Sequence, residues 1–143
     1  MTSSLEDNMI FTIHSRIKNK AIVEQYVINL INELGINRLQ RNIDIRFRKK
    51  LDQDAMGYCW GDKDEVEIEI DRTVSWEEQM IALAHEMVHA KQFFREELDP
   101  YFNWKKRNWS NCSYEHQPWE KSAYYWEERL FKKCYPSAHS STG

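Results

Sequence analysis

Two histidines and a glutamate within residues 80–94, MIALAHEMVHAKQFF, have a spacing that could carry chemistry. They are His85, Glu86 and His89, an H-E-x-x-H pattern. On an α-helix, residues four apart lie one above the other on the same face, so two imidazole rings spaced this way can bind one metal ion. The intervening carboxylate then stands beside the ion, where it can act as a general base. The pattern predicts His85 and His89 as metal ligands and Glu86 as the catalytic base.

A third ligand must come from another part of the chain, because a hydrolytic zinc site needs three protein ligands and an open position for water. Glu120, in PWEKSA at residues 118–123, is the first candidate. A carboxylate in the first turn of a helix is stabilised by the helix dipole, and the small Ala123 permits a close approach of helices. His116 and Glu115 just before this helix, and Glu127 two turns after Glu120, are the alternatives.

Amide hydrolysis also needs a hydrogen-bond donor for the negatively charged oxygen of the tetrahedral intermediate. We assign this catalytic role to Tyr124, one turn after Glu120, with Tyr114 in the preceding loop as the alternative. Simple aromatic packing is the competing interpretation for both tyrosines. Gln92 lies near the histidine face of the predicted helix and could support a ligand or line the cleft.

The helix that carries the pattern is expected to run over residues 76–97. Ser75 and Glu78 have the spacing of a capping box at its start, and Pro100 follows its end. A helical projection places five apolar residues opposite His85: Met80, Leu83, Met87, Ala90 and Phe94. One side of the helix should therefore face a core and the other side should face the site.

The remaining patterns predict an α+β fold. Apolar residues at helical spacing predict an N-terminal helix over residues 16–34, which Gly35 ends, and Pro118 opens a C-terminal helix over residues 118–134. Strands are predicted over residues 42–50, 55–60 and 65–71, and residues 9–14 form either a fourth strand or the lead into the first helix. Residues 101–117 should be an irregular loop, with room for one helical turn.

The strand over residues 65–71 alternates Val66, Ile68 and Ile70 with acidic side chains. The simpler interpretation is a solvated face whose charges oppose aggregation. The alternative is an edge strand beside the metal helix that pairs with an extended peptide.

Length and composition indicate one domain over residues 1–143, with residues 1–8 and 137–143 flexible. The net charge of −3 gives no general attraction for nucleic acid or anionic membranes. Three widely spaced cysteines predict free thiols in a reducing compartment. The chain has neither a signal-peptide pattern nor about 20 consecutive apolar residues, so we expect a soluble, intracellular protein without a membrane partner.

The pairing of LAHEMVHAKQ at residues 83–92 with Pro-Trp-Glu-x-x-Ala at residues 118–123 resembles the small zinc metallopeptidases of phages and bacteria, close to the gluzincin-like and SprT-like groups. The resemblance covers roughly residues 65–130. It implies a zincin-like fold with an N-terminal helix, a three- to four-stranded sheet, an H-E-x-x-H helix and a C-terminal helix.

The same resemblance implies one Zn²⁺ per chain, held by His85, His89 and Glu120, with Glu86 as the catalytic base. The substrate would be a protein or peptide, and the setting would be the cytoplasm, as in a phage-infected bacterial host. SprT-like enzymes take a third histidine, for which only His116 is available. Glu120 therefore makes the chain more gluzincin-like.

Residues 104–109, WKKRNW, interleave basic and aromatic side chains as a nucleic-acid-binding loop does. SprT-like proteases act on DNA-bound proteins, so the resemblance adds a DNA-associated partner to the hypotheses. The competing interpretation is a solvated loop anchored by two tryptophans. A non-catalytic or weakly active zinc-containing binding module is the alternative function, but a structural zinc site has no need of a base at Glu86.

Overall fold

A four-stranded mixed sheet forms one layer of the computed structural model, which describes residues 9–49, 51 and 55–136. Its strands are β1 (Ile10–Ile13), β2 (Asn42–Arg48), β3 (Gly57–Gly61) and β4 (Glu65–Asp71), in the spatial order β1-β2-β4-β3. The first three in that order are parallel, and β3 is antiparallel to β4. The predicted flexibility of residues 1–8 and 137–143 concerns segments outside the described residues.

Period-two alternation gives the sheet one apolar face, as predicted. Ile43 pairs with Val66 and Ile45 pairs with Ile68 in the register of β2 and β4. The apolar side chains of both strands are buried, namely Ile43, Ile45, Phe47, Val66, Ile68 and Ile70. The opposite face of β2 and β4 is polar and includes an ion pair between Arg48 Nε and Glu69 Oε2 at 2.6 Å.

The interpretation of residues 65–71 as an edge strand was wrong, because β4 lies between β2 and β3. The strand at that edge of the sheet is β3. Asp71 also departs from the predicted solvated acidic face. It is buried, and it accepts hydrogen bonds from the backbone N–H and the hydroxyl group of Thr73 at 2.8 and 2.6 Å.

Three helices complete the second layer: α1 (Lys20–Glu33), α2 (Trp76–Phe94) and α3 (Pro118–Cys134). Helix α2 packs across β3 and β4, α3 packs along α2, and α1 contacts both helices. One cluster of buried apolar side chains joins the sheet to all three helices. The predicted α+β class is therefore confirmed. Among the described residues, no helix has the length and apolar composition needed to cross a bilayer.

The structure decides between the two predictions for the N-terminal region, a fourth strand or the lead into the first helix. Residues 10–13 form strand β1, and α1 begins at Lys20 rather than near Arg16. Gly35 has φ of +73°, the left-handed conformation that commonly follows a helix end. Ile22 and Ile28, two of the apolar residues at helical spacing in this segment, face solvent and are 37% and 41% exposed.

Helix α2 ends at Phe94, three residues before the predicted end. Glu96 has φ of +60°, and the N–H groups of Glu97 and Leu98 donate to the carbonyl oxygen of Gln92. This turn returns Leu98 to the core, where it is buried. Burial of an apolar side chain thus outweighs continuation of the helix.

The C-terminal part follows the prediction with two exceptions. Helix α3 has the predicted bounds, but Trp126, one of the apolar residues at helical spacing in this segment, is 45% exposed. The loop over residues 101–117 contains the expected helical turn, a 3-10 helix at Tyr114–His116, and also a hairpin of β5 (Asn103–Trp104) and β6 (Arg107–Asn108). Two-residue strands are too short to produce a sequence period. All three cysteines are free, as predicted.

A hydrogen bond between α1 and α2 is expected to stabilise the fold. The Tyr26 hydroxyl donates to the Met80 carbonyl oxygen at 2.8 Å, and both residues are fully buried. Tyr26→Phe should lower the free energy of unfolding by about 1–2 kcal/mol, because it removes the buried donor and keeps the ring. Urea denaturation measures this. Tyr125→Phe, at a half-exposed ring, is the control and should change stability by less than about 0.5 kcal/mol; an equal loss in both variants would contradict the assignment.

Candidate metal centre

Helix α2 holds the candidate site, and its start is fixed by the predicted capping box. The Ser75 hydroxyl accepts from the Glu78 N–H at 3.1 Å, and the Glu78 carboxylate accepts from the Ser75 N–H at 3.1 Å. The stripe predicted to face the core is buried, as its five members show: Met80, Leu83, Met87, Ala90 and Phe94. The opposite face is also covered. His85, Glu86 and His89 are only 7%, 7% and 5% exposed, because β3 and α3 pack against this helix.

The structure brings His85, His89 and Glu120 together. Glu120 Oε1 lies 3.0 Å from His85 Nε2 and 3.2 Å from His89 Nε2. The three potential ligand atoms are all within 4.8 Å of one another, in the one such group among the described histidine, cysteine, aspartate and glutamate side chains. Helix α2 supplies both rings, and the buried first turn of α3 supplies the carboxylate.

The alternatives for a third ligand do not join this group. His116 is exposed, and its Nδ1 lies 2.6 Å from the Ser113 hydroxyl. Glu127 contacts the outer nitrogen of His85, so it stands behind that ring. The side chain of Glu115 lies outside the part of the chain that the structure describes.

Hydrogen bonds orient both imidazole rings. His85 Nδ1 lies 2.8 Å from Glu127 Oε1, and His89 Nδ1 lies 2.8 Å from Gln92 Oε1. The amide nitrogen of Gln92 donates to the Trp119 carbonyl oxygen at 3.1 Å, which directs its oxygen toward His89. Carboxylate and amide oxygens accept hydrogen bonds, so both Nδ1 atoms donate. Each Nε2 atom therefore faces the centre of the site, and Gln92 has the supporting role predicted for it.

These contacts create a place for positive charge. With a proton on each Nδ1, the Nε2 atoms of neutral rings are acceptors, and they converge on the Glu120 oxygen, which is also an acceptor. Three acceptors at this distance need a cation among them, either protons on the rings or a metal ion. Burial opposes the charged forms, yet the hydrogen bonds with Glu120 raise the pKa of His85 to about 9, and those with both rings lower the pKa of Glu120 to about 2.

The donor set fits zinc. Two imidazole nitrogens and one carboxylate oxygen are the three-ligand set of many catalytic zinc sites. Tetrahedral ligands about 2.0–2.2 Å from zinc lie roughly 3.4 Å from one another. The separations of 3.0 and 3.2 Å between Glu120 and the two rings are close to that value. His85, His89 and Glu120 could therefore hold a divalent metal after small side-chain adjustments.

Glu86 lies beside this group and has no hydrogen-bond partner among the described residues, although it is only 7% exposed. It lines two adjoining cavities, so its carboxylate is accessible to a small molecule in the cleft. Burial raises the pKa of this carboxyl group, while the neighbouring rings of His89 and His85 oppose the rise. A water molecule or a ligand in the cleft can therefore supply its hydrogen bonds.

Tyr124 and Tyr114 lie at the mouth of the same cleft. The Tyr124 ring is 4.7 Å from the His85 ring, and its hydroxyl is 3.4 Å from that of Tyr114. Both residues are about half exposed. Burial, the Tyr124 hydroxyl and the Glu120 charge raise the pKa of Tyr114, so it stays a neutral hydrogen-bond donor. The structure thus brings both predicted donors to the cleft without distinguishing between them.

Three residues of β3 in the cleft were missed from the sequence, Gly57, Tyr58 and Cys59. A Cβ atom on Gly57 would lie 3.0 Å from Glu86 Oε2, so the glycine leaves room for this carboxylate. Burial and the charges of Glu86 and Glu120 raise the pKa of Cys59. A glycine inside a strand does signal the close approach of another group, but only the pairing with β4 shows which face of β3 meets α2.

The basic segment 104–109 forms the hairpin of β5 and β6. Lys105 Nζ lies 5.3 Å from the Trp104 ring centre, and the Arg107 guanidinium lies 5.1 Å from that of Trp109. Both tryptophans pack against the core while the cations are exposed. This arrangement agrees with the predicted solvated segment anchored by two tryptophans, and nucleic-acid binding stays a prediction.

Metal affinity should distinguish Glu120 from its sequence alternative. Glu120→Ala removes one of the three convergent ligand atoms, so we expect at least about a tenfold loss of Zn²⁺ affinity. Competition with a chromophoric chelator measures this. His116→Ala is the matched control and should leave the affinity unchanged, because that ring bonds to Ser113. The opposite ranking of the two variants would exclude Glu120 as the third ligand.

The chain matches no protein-family model, and no curated protein or solved structure matches it. The resemblance to small zinc metallopeptidases therefore stays a prediction from the motifs at residues 83–92 and 118–123. The arrangement of His85, His89 and Glu120 beside Glu86 is a feature of this chain's own fold.

Proposed function

We propose that this protein is a zinc-dependent metallopeptidase with Glu86 as its general base. The observation that carries the proposal is the convergence of His85 Nε2, His89 Nε2 and Glu120 Oε1 next to the Glu86 carboxylate, to which no described residue donates a hydrogen bond. A purely structural metal site would not require an unpaired carboxylate at its side. A hydrolytic site requires one, because a proton must be taken from water and later given to the leaving amine.

The steps of the proposed reaction are assigned to a few residues. When bound by His85, His89 and Glu120, a zinc ion would polarise a carbonyl group and lower the pKa of water. Glu86 accepts the proton of a water molecule in the cleft on its carboxylate and passes that proton to the amine of the cleaved peptide. Tyr124 and Tyr114 are the two candidate donors to the carbonyl oxygen as it becomes negatively charged.

A peptide substrate suits the surroundings of the site. Among the described strands, β3 pairs only with β4, so its outer edge offers backbone groups to an extended peptide. Helix α2 packs directly against β3, and the two cavities that share Glu86 and Tyr114 both include Gly57 of this strand. Backbone pairing at β3 would therefore carry the peptide across Glu86.

Replacement of the proposed base gives the direct test. Glu86→Gln keeps the size of the side chain and removes its basicity, so peptide hydrolysis should fall by about 10²–10⁴-fold while one zinc per chain is retained. Cleavage of a broad peptide library, followed by mass spectrometry, and metal analysis measure the two quantities.

Glu77→Gln is the control, since Glu77 is exposed on the first turn of the same helix. A protein that neither contains nor takes up zinc would contradict the proposal. Retained zinc without hydrolysis by the unaltered protein, together with equal partner binding by the Glu86→Gln form, would instead support the alternative of a zinc-containing binding module.

Gly57 should be required for the position of Glu86. In Gly57→Ala the new methyl group would lie 3.0 Å from Glu86 Oε2 and 3.2 Å from Ile70 Cδ1, so the carboxylate must shift by a few tenths of an ångström. We expect kcat/KM to fall by about tenfold or more with unchanged zinc content. Steady-state kinetics and metal analysis test this, and full activity in the folded variant would contradict it.

A further inference from the structure

The cavity on the His85 side of the cleft has a strongly acidic lining. Its volume is about 430 Å³, and four glutamates line it, Glu78, Glu86, Glu127 and Glu128. Among its described lining residues there is no lysine or arginine. These carboxylates, together with Glu120, outnumber the two charges of one divalent metal ion, so the cavity stays negative when the metal is bound.

Two of these carboxylates have capacity to bind a cation. Glu128 has no hydrogen-bond or ion-pair partner among the described residues. Glu78 uses one oxygen in the capping box with Ser75, which leaves its other oxygen free. Glu127 is directed at His85 and contributes mainly its charge.

The cavity also has an apolar part. Met56, Ile81 and Ala82 line it together with the ring of Tyr124. Lysine and arginine side chains combine a long alkyl stem with a charged head, and they bury the stem on apolar surface while the head reaches polar groups. An apolar wall that ends in carboxylates is complementary to such a side chain.

Glu86 connects this cavity to the candidate metal centre. It is more than nine-tenths buried, lines the cavity and has no hydrogen-bond partner among the described residues. The acidic lining is thus continuous with a carboxylate that is available to a ligand in the cleft. The cavity on the other side of Tyr114 differs, because its carboxylates are Glu86 and Glu120 of the centre itself.

We infer that this cavity selects peptides with a lysine or arginine side chain on one side of the scissile bond, and that Glu128 and Glu78 determine this preference. The inference rests on the proposed peptidase function and adds a substrate class to it. Both residues lie outside the metal ligands and the catalytic base, so their substitution should change specificity and leave zinc binding intact.

Peptide pairs provide the test. Short neutral peptides carry a single lysine, or its uncharged isostere norleucine, at successive positions. Binding to the zinc-loaded Glu86→Gln protein is measured by fluorescence anisotropy at low and high salt, and kcat/KM is measured with the unaltered enzyme. At one position, lysine should be favoured by about fivefold to tenfold, and salt should reduce the binding preference.

Substitutions that remove charge test whether Glu78 and Glu128 cause the preference for lysine. Glu78→Gln/Glu128→Gln should abolish the preference for lysine, since glutamine preserves the capping hydrogen bond at Ser75. Glu128→Lys should reverse it, and Glu77→Gln, which removes an exposed charge that does not line the cavity, should have no effect.

The outcomes separate this inference from the proposed function. Equal binding and cleavage of lysine and norleucine peptides at every position would overturn the inference and leave the peptidase proposal standing. A lysine preference that survives Glu78→Gln/Glu128→Gln would overturn the assignment to this cavity. Absence of both peptide binding and peptide cleavage would contradict the peptidase proposal and, with it, the inference.

Discussion

The packing of α3 against α2 is the contact on which the candidate site depends. It joins Glu120 to two histidines more than thirty residues away, and Ala123, three residues after Glu120, is fully buried. The Gln92 side chain strengthens it, because one amide group bonds to a ring on α2 and to the Trp119 carbonyl oxygen of α3. The side chain that orients His89 therefore also positions the turn that carries Glu120.

The site concentrates polar groups in an otherwise apolar interior. His85, His89, Gln92 and Glu120 are buried, and each has hydrogen-bond partners that offset its loss of hydration. Glu86 differs, because no described residue donates a hydrogen bond to it and it lines the cleft. A carboxylate in such a place is available to a water molecule or a ligand.

The order of the strands in the sheet also affects the candidate site. Because β3 occupies the edge beyond β4, it lies against α2, and its outer side is not covered by another described strand. Gly57 of this strand leaves space for the Glu86 carboxylate. The position of β3 thus affects both the access to the cleft and the position of the Glu86 carboxylate.

Local sequence patterns were sufficient to predict much of the fold and the part of the candidate site that lies on α2. The H-E-x-x-H spacing placed two rings and a carboxylate on one helical face, the Ser75 and Glu78 spacing located the start of α2, and alternation located β2 and β4. These features depend on backbone periods and on hydrogen bonds between residues close in sequence, which the chain itself specifies.

Only the tertiary structure decided which candidate could be the third ligand. By residue type, Glu120, His116 and Glu127 were all acceptable. In the folded chain Glu120 meets both histidine rings, His116 bonds to Ser113, and Glu127 lies behind His85. The interior position of β4 and the role of Gly57 likewise follow from strand order. Contacts between residues distant in sequence produce no periodic pattern in the chain. They can therefore be identified only after the helices and strands are assembled.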